Sequence, residues 1–181
     1  MITFLHIPKV AGSSFYKLTF GNDYVNYWGH KSSVGIPSPS FCFVRNPYDR
    51  LVAAYFYLID DHAEFEPDIS YKEMLLKYKD FKDFVMNIET DRLNKYIIHV
   101  KPMSYYICDD DGNILIDKIF KIEKIKEIDD YLQDNGIPKL SETILNTSEH
   151  KKYTEYLDDE VIAEINRLYK QDFELFNYEM L

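Results

Sequence analysis

The chain has 181 residues, 46% of them apolar and 29% charged, the composition of a folded protein and not of a disordered, collagen-like or coiled-coil chain. Asp and Glu outnumber Lys and Arg by 31 to 21, a formal net charge of −10, which excludes the global basic footprint of a nucleic-acid binder. Cys42 and Cys108 are too few for a disulfide framework or a zinc ribbon and are read as reduced, buried thiols.

In chain order, Ile2–Ile7 reads as a short apolar strand ending at Pro8, followed by the small-residue loop Lys9–Ser14 and a helix over Phe15–Phe20. Strand, tight loop and helix in that order form the phosphate-cradling unit of α/β proteins. A second strand is expected near Tyr24–Trp28, a loop over Ser32–Ser40, and a buried strand over Phe41–Arg45 that stops at Asn46-Pro47. Tyr48–Asp60 follows as an amphipathic helix. The charged, Tyr-rich stretch from Asp61 to Lys101 is read as helical around Tyr71–Ile88 and as the acceptor-side surface.

Met103–Cys108 and Ile114–Phe120 flank Asp109-Asp110-Asp111-Gly112-Asn113, a hairpin turn signal. A calcium loop with its glycine at Gly112 would begin at Ile107 and end at Lys118, and neither is a ligand. Helices are expected at Lys124–Asn135 and Asp158–Lys170, the latter capped by Asp158. Length, with neither a repeat nor a low-complexity linker, suggests one domain over 1–181. A membrane span needs about 18 or more consecutive apolar residues, and none occurs. Met1–Ile7 already reads as a strand and leaves no room for a signal peptide, so the expected location is the cytoplasm.

Two segments carry chemistry. In His6-Ile7-Pro8-Lys9-Val10-Ala11-Gly12-Ser13-Ser14, small residues let backbone N–H groups approach an anion at a positive helix end. Lys9 adds a cation, and Ser13 and Ser14 add hydroxyls. The loop is not a Walker A motif, in which the lysine follows the second glycine. In Arg45-Asn46-Pro47, an arginine at a strand's C-terminal end sits on the ligand edge of an open α/β sheet and can fork onto a second phosphate. Arg50, inside the following helix, is assigned to packing and surface pairing.

Together these segments resemble the sulfotransferases that use 3′-phosphoadenosine 5′-phosphosulfate (PAPS), in particular the carbohydrate group that includes the uronyl 2-O-sulfotransferases. That family carries an Ile-Pro-Lys-x-Ala/Gly-Gly/Ser-Thr/Ser-Ser loop for the 5′-phosphosulfate and an Arg-Asp-Pro-x-x-Arg-Leu junction for the 3′-phosphate. Ser104-Tyr105-Tyr106, Phe120-Lys121-Ile122-Glu123, Asn146-Thr147-Ser148, Tyr153 and the Asp172–Tyr178 stretch look like its later segments. The resemblance implies an α/β fold with a P-loop-kinase-like, mostly parallel sheet flanked by helices. It implies metal-free, in-line transfer of a sulfuryl group from PAPS to an acceptor hydroxyl.

By the same resemblance, Lys9 stabilises the leaving phosphate oxygen, Ala11, Gly12, Ser13 and Ser14 hold the 5′-phosphate, and Arg45 holds the 3′-phosphate. His30, after Trp28-Gly29, falls where the uronyl enzymes place a general base, and Ser148 and Lys152 fall where a C-terminal loop closes over the nucleotide. Three departures stand out. Ala53 replaces a serine that shares the 3′-phosphate, Asn46 replaces an aspartate, and Val10 replaces a threonine.

His6 is assigned to ordering the loop, and His62, His99 and His150 to the surface, with His62 or Asp61 next in line for the base. The acidic balance favours a neutral glycan, a glycolipid or a small hydroxylated metabolite over a heparin-like polyanion as acceptor. The rival functions are an ATP-dependent phosphotransferase on the same fold and a non-catalytic nucleotide- or glycan-binding protein. The sequence leaves the oligomeric state open.

Overall fold

A computed structural model of the chain describes residues 1–60, 68–143 and 150–181. Their contacts group into two compact units, Met1–Arg45 with Met103–Asn146, and Asn46–Pro102 with Thr147–Leu181.

The first unit holds the sheet. Strands β1 (Ile2–Leu5), β2 (Val25–Gly29), β3 (Ser40–Val44) and β4 (Lys118–Lys121) pair in the order β2-β1-β3-β4, and every pairing is parallel. Helix α1 (Gly12–Thr19) joins β1 to β2. The central strands are buried along their whole length, as continuous apolar runs are when both faces of a parallel sheet are covered. Phe4, Phe41 and Phe43 project from one face and meet Phe15 of α1, with ring centroids 4.4 Å apart for Phe4–Phe15 and 5.6 Å for Phe15–Phe43. Asp117 ties the starts of β3 and β4 together: its carboxylate accepts from Ser40 N–H at 2.7 Å and from Ser40 Oγ at 2.9 Å. Those donors hold its pKa below the usual carboxylate range.

The second unit is helical. It contains α2 (Pro47–Ile59), α3 (Asp68–Leu75), α4 (Phe81–Asn87) and α5 (Leu93–Tyr96), and, at the C-terminal end of the chain, α8 (Asp159–Leu168) and α9 (Lys170–Leu175). Its core gathers Leu51, Tyr55, Phe84, Val85, Ile165 and Phe173. Between these segments the chain returns to the first unit with α6 (Ser104–Ile107), β4 and α7 (Ile125–Asp134). Asp158 caps α8 as expected, accepting from Glu160 and Val161 N–H.

Several expectations are corrected. The single helix around Tyr71–Ile88 is two, α3 and α4, separated where Asp80 leaves the helical conformation to cap α4 through Asp83 N–H. The turn at Asp109–Asn113 forms, with Asp109 Oδ1 accepting from Asp111 and Asn113 N–H, but it does not join two long strands. Residues Ser104–Ile107 are helical, only Cys108 and Ile114 bridge, and β4 pairs in parallel with β3. Arg50 is 2% exposed and donates from Nη1 to the Lys101 carbonyl at 2.8 Å, so it packs in the core and not at the surface. His99 is buried, with Nδ1 3.8 Å from Asp68 Oδ1, and is not a surface histidine. Cys42 is buried as expected, whereas Cys108 is only half-buried.

Candidate functional site

In a parallel sheet of order β2-β1-β3-β4 the chain leaves β1 toward β2 on one side and then returns to β3 on the other. A switch point therefore lies at the C-terminal ends of β1 and β3, where open α/β sheets bind ligands. Lys9 follows β1 and Arg45 follows β3, so the two cations expected from sequence stand at that switch point. They are linked directly: Arg45 Nη1 donates to the Lys9 carbonyl at 3.3 Å. Both side chains are half-buried.

The loop between β1 and α1 is conformationally unusual. Lys9 (φ 67°) and Ala11 (φ 65°) both lie in the left-handed region. For a residue with a Cβ this costs about 1–2 kcal/mol, and such strain concentrates at functional segments. Helix α1 begins at Gly12, three residues before the sequence pattern places it. Gly12, Ser13 and Ser14 therefore belong to its first turn, whose N–H groups lack intrahelical acceptors. Ala11, the N-cap residue, makes no side-chain cap, and the first turn carries no acidic residue. Ser13 is exposed and Ser14 buried. The arrangement presents a positive helix end beside a lysine and an arginine, which suits a phosphate or phosphosulfate group.

Gly12 owes its identity to a neighbour, His6. A Cβ built there overlaps the His6 ring. His6 lies two residues beyond Phe4 and so projects from the same sheet face toward the start of α1. It is 7% exposed, and its Nδ1 is hydrogen-bonded to the Tyr27 hydroxyl on β2 and lies 3.1 Å from His30 Nε2. Burial, with Tyr16 nearby, pushes the Tyr27 phenol above its ordinary range. His30 itself is exposed and follows Gly29 at the end of β2, where the chain turns through a glycine at φ 71°. Gly12, His6 and His30 thus form a continuous row along the C-terminal edge of the sheet.

The remaining expected residues fall elsewhere. Lys152 belongs to the second unit, exposed before the short 3₁₀ turn Tyr153–Tyr156, with its carbonyl accepting from Glu155 N–H at 3.0 Å. Ser148, Asp61 and His62 lie outside the described residues. Ala53 is 1% exposed within α2, and Asn46 caps that helix by accepting from Tyr48 N–H at 3.0 Å. Val10 is fully buried, so an apolar residue there belongs to the core. Sequence reasoning missed the link of Tyr27 and His6 to His30. The alternation Phe4-x-His6, read against a strand ending in Tyr27-Trp28-Gly29-His30, was the available signal.

Among the described residues, no helix is long and apolar enough to cross a membrane, and no cluster of three or more His, Cys, Asp or Glu residues is arranged to hold a metal. No curated protein and no solved structure matches the chain. A family model described as the sulfotransferase family matches residues 23–179, a span that contains His30, Arg45 and Lys152 and begins after the Lys9 loop. With most of its length matched, and with an all-parallel sheet flanked by helices, the chain is an enzyme of the sulfotransferase family.

Proposed function

We propose that the protein transfers the sulfuryl group of PAPS to a hydroxyl of a carbohydrate-like acceptor. The observation that carries this reading is the pairing of Lys9 and Arg45 at the switch point between β1 and β3, beside a helix whose N-cap residue supplies no side-chain cap. Two cations, one fork-shaped, suit a donor with two separated phosphates. In this reading the first turn of α1, from Ala11 through Gly12, Ser13 and Ser14, holds the 5′-phosphate and Arg45 the 3′-phosphate. Lys9 neutralises charge on the oxygen that leaves sulfur. His30 takes the proton of the attacking hydroxyl, for which an exposed imidazole at the strand edge is suited.

Atoms balance without a further reactant. The acceptor oxygen bonds to sulfur, the bond from sulfur to the bridging phosphate oxygen breaks, and the hydroxyl proton goes to His30. The products are a sulfate ester and adenosine 3′,5′-bisphosphate. A net charge of −10 favours a neutral glycan, a glycolipid or a small hydroxylated metabolite over a polyanion. The cytoplasm is the proposed location. The test is a PAPS-driven acceptor screen read by mass as the gain of one sulfate. Transfer to a neutral glycan or a small alcohol supports the reading, and transfer from ATP in place of PAPS overturns it.

A further inference from the structure

Two side chains meet at a single nitrogen of His6. Its Nδ1 is hydrogen-bonded to the Tyr27 hydroxyl and lies 3.1 Å from His30 Nε2, with the two imidazole rings 4.2 Å apart at 62°. A ring nitrogen holds either a proton or a lone pair, and the two cases have opposite consequences for His30. With a proton on Nδ1, His6 donates to His30 Nε2 and consumes the lone pair that a base needs. With a lone pair on Nδ1, the Tyr27 O–H and the His30 Nε2–H share it as a bifurcated acceptor, and the lone pair of His30 resides on its own Nδ1.

Tyr27 favours the second case, because a phenol O–H donates better than its oxygen accepts. Burial and the neighbouring Tyr16, whose ring lies 4.9 Å away on α1, raise its pKa above the ordinary value and keep the hydroxyl protonated. The His6 ring also lies against Gly12, where any side chain would displace it.

Building on the proposed function, we propose that His6 is a positioning residue: held as an acceptor by Tyr27, it orients His30 through Nε2–H and leaves His30 Nδ1 to take the acceptor's proton. The hydroxyl proton moves to His30 Nδ1 as its oxygen bonds to sulfur, and the electron pair of the broken bond leaves on the phosphate oxygen. His30 becomes an imidazolium whose Nε2–H bond to His6 is then charge-assisted and stronger. His6 and Tyr27 remain neutral throughout. The division of labour is that of a base and its orienting partner, with a neutral imidazole in the orienting position.

Two measurements test the inference. The first is ¹⁵N NMR of the imidazoles in the full chain without donor. His6 is expected with Nδ1 unprotonated and Nε2 protonated, and Tyr27→Phe is expected to shift that tautomer balance. A wild-type His6 protonated at Nδ1 overturns the inference and leaves the donor site untouched. The second is turnover with PAPS. A general base contributes about 10²–10⁴-fold, and loss of its orienting partner should cost part of that, about 10- to 100-fold in kcat for His6→Leu.

Affinity for adenosine 3′,5′-bisphosphate should be unchanged in His6→Leu. His6→Asn, which places an amide where Nδ1 stood, should restore much of the rate. In a His30→Ala background, His6→Leu should have no further effect on the residual rate. An equal loss in that background means that His6 acts on something other than His30 and overturns the inference. Full turnover by His30→Ala alone removes the base assignment, and the inference with it.

Discussion

Helices α1 and α2 both begin just beyond a sheet strand, α1 after β1 and α2 after β3, and they begin in opposite ways. At α2 the chain satisfies its own helix end. Asn46 accepts from Tyr48 N–H, Pro47 occupies the first helical position, and Asp49 places a negative charge in the first turn. At α1 none of these devices is present: the N-cap is an alanine in the left-handed region, and the first turn has no acidic residue. One terminus is complete without a ligand, and the other is built as though an anion were to complete it. The difference locates the candidate site more sharply than any single residue does, because positions that break local rules are where function is expected.

The largest expected effect lies at the incomplete end. Lys9→Ala should lower kcat by about 10²–10³-fold, the usual cost of removing one preorganised group that faces developing charge, and should weaken donor binding far less. Normal turnover at saturating PAPS with only a raised KM would make Lys9 a binding residue. Arg45→Ala comes next. Losing a charge-assisted bidentate contact costs about 1.5–3 kcal/mol, roughly 10- to 150-fold in affinity. Calorimetry should show that loss for adenosine 3′,5′-bisphosphate and little change for AMP, which lacks the 3′-phosphate. An equal loss for both nucleotides would place Arg45 on the 5′ side and undo its assignment.

The same contrast shows what was legible in the sequence. The β–loop–α unit, the buried strand before Arg45, the helix after it and the capped C-terminal helix were readable, because each is announced locally by an apolar run, a proline or a capping aspartate. The sheet positions of Lys9, His30 and Arg45 followed from those elements. The start of α1 was not readable. Gly12-Ser13-Ser14 looks like loop by composition, and only the left-handed Ala11 and the packing of Gly12 against His6 draw it into the helix. The hairpin expected around Asp109–Asn113 failed for a related reason. Its turn chemistry is local and correct, but β4 finds a better partner in β3, with Ser40 and Asp117 fixing the register. The sequence alone assigns His6 to ordering the loop, because its contacts with Tyr27 and His30 span 21 and 24 positions.

The two smallest predictions concern stability and probe the helix ends directly. At α2, Asn46→Ala removes a side-chain cap that the chain uses, and such substitutions cost about 0.5–2 kcal/mol. A domain of this size loses roughly 2–4 °C in Tm per kcal/mol, so thermal unfolding should show a drop of a few degrees. An unchanged Tm would mean that Pro47 and Asp49 suffice at that end.

At α1 the sign is reversed. Ala11→Gly removes a Cβ from a left-handed position, which relieves about 1–2 kcal/mol of strain. Against that stands about 0.5–1 kcal/mol for the extra freedom that glycine loses on folding. The difference is a net gain of about 0–1.5 kcal/mol, so the ligand-free protein should melt no lower and up to about 6 °C higher. The two substitutions should therefore move Tm in opposite directions although both alter an N-cap. Affinity for the bisphosphate should not rise with the added stability, since the relief acts on the free and bound loop alike. A lower Tm for Ala11→Gly would show that the alanine is not strained where it stands. It would leave the missing cap and the missing acidic residue as the difference between the two helix ends.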